Sequence, residues 1–301
     1  MSVIGSNILA GSSGVSDAYT IDQSLRFDEG GPAYLTRTQE SGDSDQIVTV
    51  SFWMKRGRID GEERPILSMG PGGQFFIRKH SDETIKFRCK QDGTERELAT
   101  AAVFRDPSAW YHVVAAWDVT QATEADRMKV WVNGEVATLT GTYPIQTTSM
   151  DSVDDGATQR VGTLAHSATS SQAWDGYLAE YHYLDGIVQT ASSFGETDST
   201  TNQWKPIEYS GSYGTNGFYQ KYASTVLADS FEDSSGNGSI IESFTSTGSD
   251  TWTCPEGVTE IEVLTVAGGG GGAGYYYAAG GGAGGIVHDA DYTVVPGVVY
   301  I

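Results

Sequence analysis

Residues 47–55 alternate: Val48, Val50, Phe52 and Met54 fall on one face, and Thr49, Ser51, Trp53 and Lys55 on the other. This is the period-two pattern of a strand. The same period returns at Trp110, where Tyr111, Val113, Ala115 and Trp117 share one face and Trp110, His112 and Val114 the other. A loop carrying Glu124, Asp126 and Arg127 leads into a second run, 128–132, which ends at Asn133-Gly134. Asn-Gly is the strongest short signal for a two-residue hairpin turn. Residues 110–139 therefore predict a meander of two strands and a short third. Further strands are expected at 24–27, 33–36, 65–68, 75–79, 85–90, 160–164 and 174–184. Turn clusters such as Gly70-Pro-Gly-Gly73 and Ser81-Asp-Glu83 separate them. Almost no window carries the three- and four-residue apolar spacing of a helix. The fold class is all-β, a sandwich or barrel.

Charge narrows the partners. The chain carries 39 Asp and Glu against 18 Lys and Arg, a formal net charge of −21. Phosphate backbones need a basic field, so nucleic acid is excluded as a partner. Cys89 and Cys254 stand far apart and predict neither a disulfide nor a metal knuckle, which suits a reducing compartment. No basic residue precedes Arg26 and no long apolar core follows the start, so no secretory signal is expected. The uncharged stretch 263–287 has the length of a membrane span, but eleven of its residues are glycine, and no membrane insertion is expected.

The series SLRF…AYLTR, VSFWMKRG, RDPSAWYHVV, KVWVNGE, RVG and WDGYLAEYHYLDG resembles the laminin-G-like, concanavalin A-like jelly-roll family over about residues 19–194. The stretch SSFGETDSTTNQWKPIEYSGSYGTNGFY, 192–219, followed by DSSGNG, 233–238, resembles a segment that follows this domain in a group of bacteriophage virion proteins. Residues 244–301 have a W-x-x-P-x-G-V start at Trp252, a glycine tract at 268–285 and a late YTVVPG. They resemble the glycine-rich domain of phage tail fibres. That family carries a further strand after YTVxPG, so the natural chain is expected to continue past residue 301.

The resemblance raises hydrolysis, since the fold also hosts glucanases. A retaining glycosidase needs two carboxylates on one strand face, about 5 Å apart. Glu260 and Glu262 share a strand face but lie outside the jelly roll, and Glu180 and Asp185 would face opposite sides of a regular strand. No GxSxG elbow is present, and His80, His112, His166, His182 and His288 show no ligand-pair spacing. His112 and His182 lie in aromatic strands and read as structural residues. The family often carries Ca²⁺ at a sandwich edge, which makes Asp28, Asp151, Asp154 and Asp155 candidate metal ligands; a solvated acidic loop is the alternative. GxGxxG-type matches in the glycine tract lack a lysine and a strand-to-helix context, so nucleotide binding is dismissed.

Aromatic residues supply the binding candidates. Tyr275, Tyr276 and Tyr277 interrupt the glycine tract and could offer ring faces to sugar or to a partner chain. Trp53, Trp110, Trp117, Trp131 and Trp174 could stack on sugar if exposed, although large aromatics are more often core. Residues 1–18 read either as a disordered leader or as an arm that anchors on other virion proteins through Ile4, Ile8 and Leu9. The expected organisation is an arm at 1–18, a jelly roll at 19–194, a connecting segment at 195–243 and a glycine-rich β domain at 244–301. What the resemblance implies is a structural, non-enzymatic virion protein, assembled in the host cytoplasm. It would be a tail fibre or spike that recognises host-surface glycan, and a homo-oligomer, with a trimer as one option. A capsid decoration or head-fibre protein and a polysaccharide depolymerase are the alternatives.

Overall fold

A computed structural model describes residues 2–3, 19–29, 33–71, 73–165, 172–222, 233–235, 251–254, 260–266 and 285–300. The chain divides into two compact units, Met1–Gly238 and Ser239–Ile301. The candidate anchors Ile4, Ile8 and Leu9 and the candidate contacts Tyr275, Tyr276 and Tyr277 lie outside the described residues, as does His166.

In chain order the strands of the first unit open with β1 (Ser2–Val3), β2 (Gln23–Phe27), β3 (Leu35–Thr38), β4 (Ile47–Arg56), β5 (Arg64–Met69) and β6 (Phe75–Lys79). They continue with β7 (Ile85–Gln91), β8 (Thr94–Thr100), β9 (Tyr111–Asp118), β10 (Met128–Val132), β11 (Glu135–Val136) and β12 (Leu139–Gly141). The set ends with β13 (Thr158–Val161), β14 (Gly176–Asp185), β15 (Gly195–Thr197), β16 (Trp204–Pro206) and β17 (Phe218–Gln220). One sheet has the order β1-β2-β14-β4-β9-β10-β11, with β17 also paired to β14; the other runs β12-β8-β7-β6-β5-β13-β3. Every pairing is antiparallel, from Val48↔Trp117 between β4 and β9 to Phe87↔Leu98 between β7 and β8.

Alternation decides which residues fill the core. Val48, Val50, Phe52 and Met54 of β4, with Val113, Ala115 and Trp117 of β9, meet Leu67, Phe75, Ile77 and Phe87 from the other sheet. Trp117 packs its ring 4.6 Å from Phe75 and 6.2 Å from Phe87. Two facing sheets that interdigitate in this way form a sandwich.

The strand β14 breaks the alternation. Its pairing with β4 shifts between Ala179 and His182, so Glu180 and Tyr181 stand opposite Phe52 alone. Glu180 takes φ +47° there. This extra residue is a β-bulge. It sends both Tyr181 and Tyr183 into the core, while His182 and Leu184 face outward.

The outer face of the first sheet is also covered. Thr49, Ser51 and Trp53, the polar-looking side of β4, are all buried. The cover comes from later in the chain, where Phe194, Tyr213 and Tyr219 pack with Val114, Ala116, Trp131 and Leu184, and Trp204 and Tyr209 join them. Here the side chains of 49, 51 and 53 look outward as the alternation predicts, but not into solvent.

Ion pairs link the loops around Phe27, Arg56 and Lys79. Asp175 accepts Arg26 at 2.6 Å and Arg58 at 2.7 Å; Glu29 pairs with Arg58 and Arg64. Asp60 pairs with Arg64 and with Lys79 at 3.4 Å, and Glu83 pairs with Arg56 and Lys79. Five of the 18 basic residues are spent in this one chain of contacts.

The second unit adds β18 (Trp252–Thr253), β19 (Glu260–Val266), β20 (Ile286–Thr293) and β21 (Val299–Tyr300), paired as β18 with β21 and β19 with β20. Trp252 and Tyr300 set their rings 5.8 Å apart across the first pair. Cys254 in this unit and Cys89 in the first are both buried, and neither is in a disulfide. Among the described residues no helix is long and apolar enough to cross a membrane.

Candidate functional site: a tryptophan-lined cleft

Trp53 on β4 pairs across to His112 on β9, and both point to the outer face of the sheet. Their rings stack at 4.8 Å and 22°, and Trp204 on β16 continues the stack at 6.0 Å and 20° from His112. Hydrogen bonds fix the order. The Trp204 Nε1–H donates to His112 Nδ1 at 2.9 Å, and His112 Nε2 lies 2.9 Å from Ser51 Oγ. Indole nitrogen is a donor only, so Nδ1 is the bare nitrogen and Nε2–H donates to Ser51. Burial holds His112 neutral, with its pKa lowered to about 3. An imidazole that gives its only proton to Ser51 Oγ has no lone pair there with which to activate it. Ser51 and His112 are therefore scaffold.

Glycine makes room for Trp204 on two sides. A Cβ built at Gly134 or at Gly195 would run into the indole ring. Gly134 has φ +85° and Asn133 φ +49°, the left-handed pair that a type I′ turn requires. The Asn133 Oδ1 also accepts the backbone N–H of His112 at 2.8 Å. The β15–β16 hairpin that carries Trp204 is held at its turn by Asp198, whose carboxylate accepts the backbone N–H groups of Thr200 and Thr201, each at 2.9 Å. Those bonds draw the Asp198 pKa down to about 2.

Between the hairpin and the sheet an open cleft of about 510 Å³ remains. Trp53, Trp110 and Trp204 line it, together with Asn133, Asn202, Gln203, Ser108, Thr197, Ala109 and Glu135. Trp53 is nearly sealed beneath, while Trp110 and Trp204 are half-buried and pack against it. Asn133, Glu135, Asn202 and Gln203 are exposed. Flat apolar faces beside amide and hydroxyl groups offer stacking plus hydrogen bonds, which is what a sugar ring presents in complement. Among the described lining residues Glu135 is the one carboxylate.

Beside the cleft lies a second aromatic cluster. The phenols of Tyr19 and Tyr219 donate to Glu180 Oε2 at 2.6 and 2.5 Å, and the Tyr219 ring stacks on His182 at 4.2 Å and 9°. Burial pushes the Glu180 pKa up and that of His182 down to about 3. Asp185 turns elsewhere: its carboxylate accepts the backbone N–H of Asp43 at 3.0 Å and of Asn216 at 2.9 Å. Glu180 and Asp185 thus serve separate neighbourhoods. Of Glu260 and Glu262 the side chains lie outside the described part.

Three of the four aspartates raised for calcium hold backbone or amide groups. Asp151 accepts from Gly93 at 2.9 Å in the β7–β8 turn, Asp155 accepts from Ala157 at 3.0 Å, and Asp154 accepts from Ser44 at 2.9 Å and from Asn216 Nδ2 at 2.8 Å. Burial and the neighbouring Asp185 raise the Asp154 pKa. Asp28 follows β2, on the far side of the sequence from that loop. Among the described residues no group of three or more His, Cys, Asp and Glu could hold a metal ion.

Of the tryptophans singled out in the sequence, Trp117 and Trp174 are core and Trp131 packs under the cover. Trp53 and Trp110 reach the cleft. Trp204 was missed as a binding candidate. Its signal was present in TNQWKP, a lone aromatic in a polar hairpin beside amide residues.

A family model for the concanavalin A-like lectin/glucanases superfamily matches residues 29–192, more than half of the chain. The chain belongs to this superfamily. A glycine-rich domain model matches residues 245–300. Solved structures similar to this superfamily member include the heptameric SAP-like pentraxin of Limulus polyphemus, 17% identical with a TM-score of 0.39, covering 58% of this chain and 77% of the pentraxin. Another is the CBM40 of Ruminococcus gnavus IT-sialidase bound to α2,3 sialyllactose, 16% identical, TM-score 0.36, covering 52% and 86%. A third is tailspike protein 2 of Escherichia coli O157:H7 bacteriophage CAB120, 11% identical, TM-score 0.40, covering 57% of this chain and 24% of the tailspike. At these identities the likeness is one of fold. No curated protein matches the chain in sequence.

Proposed function

We propose that this lectin-fold chain is a structural, non-enzymatic component of a bacteriophage virion, a tail fibre or spike, which holds host-surface glycan in the cleft of Trp53, Trp110 and Trp204. The observation that carries the glycan reading is the cleft itself: half-buried indole faces bordered by exposed amide side chains on a rigid sheet. Its lining supports binding over hydrolysis, because among the described residues Glu135 has no second carboxylate across the cleft to complete an acid–base or nucleophile pair. The virion setting is supported by the segments GSYGTNGFY and DSSGNG and by the glycine-rich domain, on the resemblance described above. Assembly in the host cytoplasm and a homo-oligomeric state, with the N-terminal arm on other virion proteins, belong to the same proposal.

Antibody labelling of intact phage particles, viewed by electron microscopy, tests the setting. Label at the tail is the expected result, and label on the capsid would favour the decoration protein instead. Absence of the protein from particles would overturn the virion reading. In parallel, host polysaccharide incubated with the purified chain should be retained on it without release of reducing ends. Steady release of reducing sugar would replace this proposal with a depolymerase.

A further inference from the structure

We infer that the cleft selects uncharged pyranose units, hexose or N-acetylhexosamine, and rejects sugars that carry a carboxylate. The inference rests on the reading of the cleft as a glycan site and adds the charge class of its ligand. Recognition of a uronate or a sialate needs Arg, Lys or a nest of backbone N–H groups aimed at the carboxylate. Among the described residues that line the cleft none is basic, and the one formal charge is that of Glu135, which is negative and exposed. Lys205, beside Trp204, turns its Nζ to Glu196 at 3.1 Å and Asp198 at 3.4 Å, and Lys55, two residues along β4 from Trp53, acts on Asp106 and is not part of the lining. The ion-pair chain from Arg26 to Arg56 absorbs five more cations. A net charge of −21 adds a long-range field that repels polyanions on approach.

What the cleft does supply matches a neutral ring. The Trp110 and Trp204 faces meet the C–H side of a pyranose. Because Asn133 Oδ1 is already taken by His112 N–H, that side chain offers its Nδ2 hydrogens as donors. Gln203 and Asn202 offer both a donor and an acceptor, which suits hydroxyl or acetamido groups. Trp204 Nε1 is committed to His112, so this indole contributes its face and not its N–H. At about 510 Å³ the cleft suits a short oligosaccharide segment.

The test is calorimetric titration of the full chain with N-acetylglucosamine and mannose oligosaccharides, and with oligogalacturonate and sialyllactose, up to millimolar concentration. Neutral ligands should bind and acidic ones should be weaker. Trp110→Ala should weaken neutral binding by about three- to tenfold. Gln203→Ala, at an exposed position, gives the same direction without a packing change. Glu135→Gln should raise affinity for the acidic ligands while leaving the neutral ones within about twofold. Acidic ligands that bind as tightly as neutral ones, and still lose affinity in Trp110→Ala, would overturn the charge selectivity and leave the glycan reading standing. Binding of neither class, or binding that Trp110→Ala and Gln203→Ala leave unchanged, would overturn both.

Discussion

A methyl group at Gly134 meets two obstacles, the left-handed backbone at φ +85° and the Trp204 ring. Gly93 in the Asp92-Gly93 turn shares the first obstacle, with φ +73°, but has nothing within 4 Å of its would-be Cβ. The two glycines therefore separate backbone strain from packing. Gly93→Ala is expected to cost about 1–2 kcal/mol, the left-handed penalty alone. Gly134→Ala adds about 1–3 kcal/mol for displacing a packed ring. Urea unfolding of the two variants measures the difference, and equal losses would show that Trp204 does not press on the turn. Asn133-Gly134 was legible as a hairpin because a two-residue turn is written in adjacent residues. Its second task was not, since Trp204 lies in a segment that follows β14, far along the chain from the turn.

Among the elements, β14 departs furthest from a regular pattern. The bulge at Glu180 is what lets Tyr181 and Tyr183 reach the core while His182 joins the outer cluster. Glu180 in turn receives two phenolic O–H groups. Glu180→Gln keeps an oxygen in place for both and is expected to change stability by about 1 kcal/mol or less. Glu180→Leu strands at least one phenol, since Tyr19 and Tyr219 can still bond each other across 2.9 Å, and should cost about 1–3 kcal/mol more than the glutamine variant. Matching urea midpoints for the two would remove the acceptor role. Strands with clean alternation, such as β4, β6, β7 and β10, were readable from side chains alone. The strand β8 was not, because TERELAT is rich in charge and only its last residues are buried. Nor was β17, three residues long and recognisable as a strand only by its pairing with β14.

At the scale of the whole molecule, the sandwich and its cover form one body. The first sheet takes β17 from beyond residue 194 and hides Val114, Ala116, Trp131 and Leu184 under residues from Phe194 to Tyr219. A fragment of residues 19–194 would leave that second apolar face open, so it should bind a hydrophobic dye and aggregate. A fragment of residues 1–238 should unfold cooperatively at the midpoint that the first unit shows in the full chain. Calorimetry and dye binding on both pieces check this, and a soluble, cooperative 19–194 would contradict it. The all-β class and most strands were legible in period and turns. The cleft was not, because it joins side chains of β4, β11 and β16 with the turn before β9, and alternation says which way a residue faces but not what will lie over it. That arrangement also has an optical consequence. Of the seven tryptophans, Trp117 and Trp174 are sealed in the core, whereas Trp110 and Trp204 border the cleft. A dissolved quencher reaches their emission and that of half-buried Trp252 in the second unit, but an occupant of the cleft would shield theirs alone, so the shielded part is a label-free gauge of occupancy.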